Sequence, residues 1–228
     1  MFDVRLPNIK WLEERGSMDH MLKADPSKEQ GLIMFYGPSN FTRWSAQWKH
    51  RPLEEDIRMK DGSRAAVNHG FGTSTVEEQL YYYDRCVRPW APRALIMGGA
   101  VGNDSAAGYT ASEILALQAR IFEYARKDFP GIKLYMYSRF PSVAGLSAKP
   151  AKKSFNKEYD LLQKAYIDSH DDVTFLDFGK FPGFFQEGHV GDYNYPREEL
   201  FVEDGIHFNQ QGYDVYRDFF LQALDDIL

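Results

Sequence analysis

With 228 residues, 43% of them hydrophobic, the chain is long and apolar enough to bury the core of one α/β domain, which excludes intrinsic disorder. Its net charge of −6 and the scatter of its basic residues exclude nucleic acid as a partner, because phosphate binding needs clustered Lys and Arg. Lys149, Lys152 and Lys153 form a short local run that reads as a solvated loop.

Met1–Lys10 lacks the apolar run of a signal peptide, and no stretch approaches the roughly 18 apolar residues of a membrane span. Cys86 is the single cysteine, sits in an apolar-periodic stretch and reads as a buried structural thiol, so no intrachain disulfide can form. These features point to the cytoplasm, with export open if a leader has been removed. Residues 1–30 read as a polar, partly helical extension that Trp11, Leu12, Met18, Met21 and Leu22 dock on a core domain spanning 31–228.

Five apolar runs read as buried strands: Leu32–Tyr36, Ala65–Asn68, Ala94–Met97, Lys133–Ser138 and Val173–Asp177. The first is fully apolar and ends in Gly37, as a central parallel strand should. Apolar residues at helical spacing predict helices over Thr75–Arg85, Ser112–Lys127, Phe155–Ile167 and Gln210–Leu228. Alternating strands and helices predict a three-layer α/β/α sandwich with a five-stranded parallel sheet. In such sheets ligands bind beyond the carboxyl ends of the strands, so functional residues should follow Tyr36, Asn68, Met97 and Ser138. Two long loops, Ser138–Ser154 and Gly179–Glu203, should shape the site.

Beyond the first strand comes Gly37-Pro38-Ser39-Asn40, a sharp turn with a hydroxyl at its tip. His69-Gly70-Phe71-Gly72 follows the second strand, Gly98-Gly99-Ala100-Val101-Gly102-Asn103-Asp104 the third, and Asp204-Gly205-Ile206-His207 precedes the last helix. Ester hydrolysis needs this inventory. A serine hydroxyl becomes nucleophilic when an imidazole takes its proton, and a carboxylate on the other ring nitrogen fixes the tautomer. An Asp three residues before a His can reach that nitrogen within one turn. The developing oxyanion needs donors, and the Ser39 amide, the Gly72 amide and the Asn103 side chain are candidates.

Tyr36-Gly37-Pro38-Ser39, Asn68-His69-Gly70-Phe71-Gly72, Gly102-Asn103-Asp104 and Asp204-Gly205-Ile206-His207 together resemble, in order, the four blocks of the SGNH (GDSL-like) hydrolases, with a likeness to a bacterial branch acting on small esters. The resemblance implies a flavodoxin-like fold and no cofactor or metal. It makes Ser39 the nucleophile, His207 the base, Asp204 its orienting acid, and Ser39, Gly72 and Asn103 the oxyanion hole. One position departs from the pattern: Pro38 stands where the family usually has an acid, which points to a modified or slower enzyme. The expected substrate is a small-molecule or carbohydrate ester with a short acyl group, acetyl foremost.

Single features also have plainer readings. Ser39 could cap a helix, as could Asp204 and His207; His69 reads as a packed or surface histidine, and His189 with Asp192 lacks a third metal ligand at suitable spacing. Arg139 could contact substrate or form a structural salt bridge, and the loop around Phe184 and Tyr193 could be a substrate wall or a satellite core. The rival functions are a lysophospholipase or thioesterase, a pseudoenzyme serving as a carbohydrate-binding or interaction domain, and a flavodoxin-like nucleotide binder in which Asp204 and His207 have no role. Oligomeric state stays open.

Overall fold

Among the residues that the computed structural model describes, 4–14, 17–98 and 101–228, five strands form one sheet. They are β1 (Ile33–Gly37), β2 (Ala66–Gly70), β3 (Ala94–Gly98), β4 (Lys133–Tyr137) and β5 (Val173–Leu176), all parallel in the order β2-β1-β3-β4-β5. Each expected strand is present, with no end moved by more than two residues. Met1–Asp3, part of the expected extension, and Gly99–Ala100 of the segment after the third strand lie outside the described residues.

The helices before β2 are α1 (Ile9–Glu14), α2 (Ser17–Ala24), α3 (Ser39–Thr42) and α4 (Leu53–Asp56). Between β2 and β4 come α5 (Val76–Tyr81), α6 (Tyr83–Cys86), α7 (Val101–Ala106) and α8 (Ala111–Asp128). Beyond β4 lie α9 (Val143–Leu146), α10 (Pro150–Asp168) and α11 (Gln210–Ala223). Both α5 and α8 open on capping boxes, Thr75 with Glu78 and Thr110 with Glu113, which satisfy amide groups that a helix start otherwise leaves unpaired.

Side chains alternate across the pleat, so each strand feeds two cores. Met34, Tyr36, Leu95, Met97 and Met136 join the layer of α5, α8 and α10. Ile33, Phe35, Ile96 and Tyr135 join the opposite layer with Phe41, Trp44 and the α11 residues Tyr213, Tyr216 and Phe220. The N-terminal Leu12, Met18 and Met21 are buried in the first layer, whereas Trp11 stays half exposed. The backbone N–H of Arg5 donates to the Glu77 carboxylate at 2.9 Å, tying this segment to α5.

Three expected helices differ in extent. The Thr75–Arg85 pattern splits at Tyr82, whose φ of −88° and ψ of 3° lie outside the helical basin. The helix expected from Phe155 starts at Pro150, because proline has no amide to lose at the first turn and its φ is already helical. Lys152 and Lys153 therefore ride on a helix. The last helix ends at Ala223 instead of Leu228.

Because β2 and β3 flank β1 on opposite sides, the chain reverses direction across the sheet at β1 and β3. That reversal opens a crevice at the carboxyl ends of the two strands.

Candidate active site

Ser39 lies in that crevice, at the first position of α3. Pro38 occupies the capping position, and its carbonyl accepts the N–H of Phe41 at 3.1 Å and of Thr42 at 3.3 Å. The Ser39 hydroxyl caps nothing and instead lies 2.9 Å from His207 Nε2. Close approach of α3 to β2 is what seats the turn: a Cβ on Gly70 would sit 2.3 Å from the Thr42 amide nitrogen, so only glycine admits it.

His207 Nδ1 lies 2.7 Å from Asp204 Oδ2, and the other oxygen, Oδ1, accepts the N–H groups of Ile206 at 2.8 Å and His207 at 2.9 Å. With the ring proton donated to Asp204, Nε2 is left as an acceptor for the Ser39 O–H. Gly205 makes the turn possible at φ +64°, and a Cβ there would stand 3.1 Å from the Ala144 nitrogen. Its carbonyl accepts the Ala144 N–H at 3.0 Å, so α9 braces the turn. Neither Asp204 nor His207 caps α11; Asn209 does, accepting from Gly212 N–H at 3.0 Å.

Burial alone would raise the Asp204 pKa, yet the two backbone N–H groups and the imidazole outweigh it and hold the carboxyl down at about 2. Burial pushes the His207 imidazole below its ordinary value; Asp204 opposes this, and the nearby Arg43 charge adds to it. Arg43, which caps the C-terminal end of α3 one turn beyond Ser39, has its Nη1 3.3 Å from Asp204 Oδ2, and its guanidinium lies 4.4 Å from the Trp48 ring centre. The sequence reading missed Arg43, although its position four residues after Ser39 on a helix was a usable signal.

The other two blocks meet at the same point. A Cβ on Gly72 would be 3.7 Å from Ser39 Cβ. Asn103 Nδ2 donates to the Ser74 carbonyl at 2.9 Å, and the buried Asp104 accepts the Val76 N–H at 2.8 Å, so α7 holds the loop that carries Gly72. Among the described residues the Ser39 and Gly72 amides have no acceptor within the protein. Asn103 Nδ2 carries a second hydrogen beyond the one given to Ser74.

A cavity of about 270 Å³ opens beside these groups, lined by Ser39, Asn103, Tyr137, Arg139, Lys152 and Asn156 among others. Arg139 is in this lining and at the same time forms a two-pronged ion pair with Asp160, Nε at 2.9 Å and Nη2 at 2.5 Å. The salt-bridge reading of Arg139 is thus what its contacts show, at the edge of the cavity. Phe184 and Tyr193 do not line the cavity. Phe184 is fully buried and packs on Phe178 and Phe208 beneath α11, so at this residue the aromatic loop extends the core. Tyr193 donates its hydroxyl to the Arg139 carbonyl at 2.8 Å and positions that segment.

Lys152 corrects the expected solvated run: its Nζ donates to the Val101 carbonyl at 3.0 Å and also bonds Ser105 Oγ. It lies 4.9 Å from the Phe155 ring centre. His69 is fully buried, donating Nδ1–H to the Cys86 carbonyl at 2.5 Å with Trp90 against its ring. Burial pushes the Cys86 thiol up to about 12, leaving it an inert packed group. His189 stacks on Tyr195, and Asp192 accepts from Asn194. Among the described residues no helix is long and apolar enough to cross a membrane.

A model of the GDSL-like lipase/acylhydrolase family matches residues 34–215. No curated protein matches the chain. Solved structures with the same fold include a GDSL-like lipase from Bacteroides thetaiotaomicron VPI-5482, 16% identical, with 89% of this chain and 91% of that one covered at a TM-score of 0.62. An acetyl xylan esterase, AlAXEase, is 14% identical over 84% of this chain and 98% of that one, with a TM-score of 0.65. A mutant of the esterase AlinE4 is 18% identical over 88% of this chain and 97% of that one, with a TM-score of 0.55. At such identities the likeness speaks for the fold alone.

Proposed function

The chain belongs to the GDSL-like lipase/acylhydrolase family, and on that premise we propose that it is a serine ester hydrolase that removes short acyl groups, acetyl from a carbohydrate foremost, through an acyl-enzyme on Ser39. The observation that carries this reading is the unbroken line from Asp204 through His207 to Ser39, with spacings of 2.7 and 2.9 Å. The catalytic unit is residues 31–228, with the preceding segment packed on it.

This geometry supports the following steps. Ser39 Oγ bonds to the ester carbonyl carbon as its proton passes to His207 Nε2, and Asp204 stabilises the imidazolium. The carbonyl oxygen, now anionic, accepts hydrogen bonds from the Ser39 and Gly72 amides and the second Nδ2 hydrogen of Asn103. Collapse breaks the bond to the alcohol oxygen, which takes the proton from Nε2. Water then bonds to the acyl carbon as its proton passes to Nε2, and collapse breaks the bond to Ser39 Oγ, which takes that proton back as the carboxylic acid leaves. Arg139 borders the substrate cavity, with Tyr193 supporting it from behind. Pro38 is compatible with this scheme, since the capping position needs no amide hydrogen and the donor belongs to Ser39.

Fluorophosphonate labelling followed by peptide mass analysis tests the assignment. Label on Ser39, its loss in Ser39→Ala, and a fall in nitrophenyl acetate turnover of about 10³-fold or more are the expected results. Folded protein that takes no label would overturn it in favour of a binding domain. Rates that climb steadily with acyl length would transfer the activity to a lysophospholipase or thioesterase.

A further inference from the structure

Among the described residues, the cavity beside Ser39 is lined by two cations and no carboxylate. Arg139 is neutralised by Asp160, but the Lys152 ammonium meets only uncharged acceptors, the Val101 carbonyl and Ser105 Oγ. Asp104 is the acid nearest in influence; it is fully buried, and burial pushes its carboxyl up to about 7, so it offsets Lys152 only in part. Burial, with Arg139 adding its repulsion, presses the ammonium below the usual lysine value. A positive charge held half out of water and only partly offset is costly unless an anion joins it.

Two neighbouring polar groups are also unspent. Among the described residues, Tyr137, 2% exposed and part of the same lining, has a hydroxyl without a partner, and the Asn156 side-chain oxygen is buried and unpaired. Lys152 and Asn156 stand four residues apart on α10, hence on one helix face. The volume matters too. About 270 Å³ far exceeds the roughly 10–15 Å³ that admits one water, so an acetyl group alone would leave most of the space empty.

We propose that this cavity is a subsite for a carboxylate carried by the substrate, bound by Lys152 with Arg139 alongside. The inference rests on the reading of Ser39 as nucleophile and narrows its substrate class to esters bearing a second, anionic group. The carboxylate can sit on either side of the ester bond, in the acyl group or in the alcohol.

Three matched esters decide it: phenyl acetate, neutral; the phenyl monoester of succinic acid, charged on the acyl side; and 4-acetoxybenzoate, charged on the alcohol side. The readout is the ratio of kcat/KM for charged over neutral ester, which cancels any loss common to both. In Lys152→Met this ratio should fall on the order of 10- to 100-fold for one charged ester, the weight of one charge-assisted hydrogen bond, and Lys152→Arg should keep most of it. The ester that responds identifies the side. A ratio that changes less than about twofold for both charged esters overturns the subsite while leaving the hydrolase standing. Absence of turnover on all three with no fluorophosphonate label overturns the hydrolase reading and this inference with it. If Lys152→Met fails to fold, inhibition of wild-type phenyl acetate hydrolysis by succinate and benzoate is compared with that by succinamide and benzamide. Stronger inhibition by the anions supports the subsite, and equal inhibition overturns it.

Discussion

Ser39 has a hydroxyl whose partner comes from 168 residues along the chain, and its own helix makes no use of that hydroxyl. Its neighbour Arg43 competes with His207 for the same Asp204 oxygen. The competition has a sign. A cation on Asp204 Oδ2 weakens the stabilisation of imidazolium, so it helps keep His207 neutral, and therefore basic, to lower pH. The acidic limb of the kcat/KM–pH profile should accordingly have its midpoint below the ordinary imidazole value of about 6.5. Arg43→Gln should move that limb to higher pH; an unmoved limb would mean that the ion pair is only a tether. Pro38 is the other residue in question. An aspartate at this capping position could accept an amide hydrogen bond at the start of α3, worth about 1 kcal/mol. Pro38→Asp should raise esterase activity or leave it unchanged, and a large loss with the fold intact would count against the role assigned to this turn.

Short elements do the positioning. The turn that carries Asp204 and His207 is clamped between Val202, whose N–H donates to the His207 carbonyl at 2.9 Å, and α9, which donates to Gly205. Gly205→Ala would strain a left-handed backbone by about 1–2 kcal/mol and press a methyl on Val143 and the Ala144 amide. Displacement of the imidazole by as little as ~1 Å costs about 10² in rate, so this variant should lose roughly 10- to 100-fold in kcat with only a modest fall in Tm. A steady-state comparison at constant pH checks it, and wild-type kcat in a folded variant would show that the turn tolerates the strain. On the far side of Ser39, α7 acts as a strut: Asn103 and Asp104 grip the loop 71–75 through Ser74 and Val76. These contacts explain why an Asn-Asp pair after β3 has to coincide with a glycine block after β2. Each alone looks like turn chemistry, and their connection lies in space.

The two-layered core also makes the whole molecule's stability depend on pH. His69 lies in it with no partner for Nε2 among the described residues, and burial holds its imidazole down at about 4, against about 6.5 when unfolded. Between those values the unfolded chain binds a proton that the folded chain refuses, so stability falls as pH drops from 6.5 to 4, and the effect is nil above that window. Fully developed, it is about 3 kcal/mol. Asp104 works in the opposite sense: its carboxyl, raised to about 7, favours the folded state at low pH and loses that advantage as pH rises. The two are separated by difference. Denaturation of His69→Leu at pH 7 and pH 4.5 should show a smaller acid penalty than wild type, by about 2–3 kcal/mol, whatever the variant's stability at pH 7. An unchanged penalty would mean that His69 is protonated in the fold.

The parallel sheet, its crevice and the residues converging there were legible because periodicity is a local property. Apolar runs of strand length alternating with helical patterns leave few arrangements for a chain of this size, and those arrangements put the residues after β1, β2 and β3 side by side. Local chemistry likewise determined the Asp204–His207 pair, since a three-residue turn brings the two side chains together without distant help. Tertiary structure alone decided the rest. The Gly179–Glu203 aromatics read equally well as wall or core until Phe184 was found packed on Phe178 and Phe208. Lys152 looked like part of a solvated run until the helix starting at Pro150 turned it onto Val101 and Ser105. Arg43 became part of the site only when α3 brought it to Asp204, 161 residues away. Periodicity records which side of its own element a residue occupies, whereas burial and pairing depend on which other element arrives there, and that is settled only when the layers close.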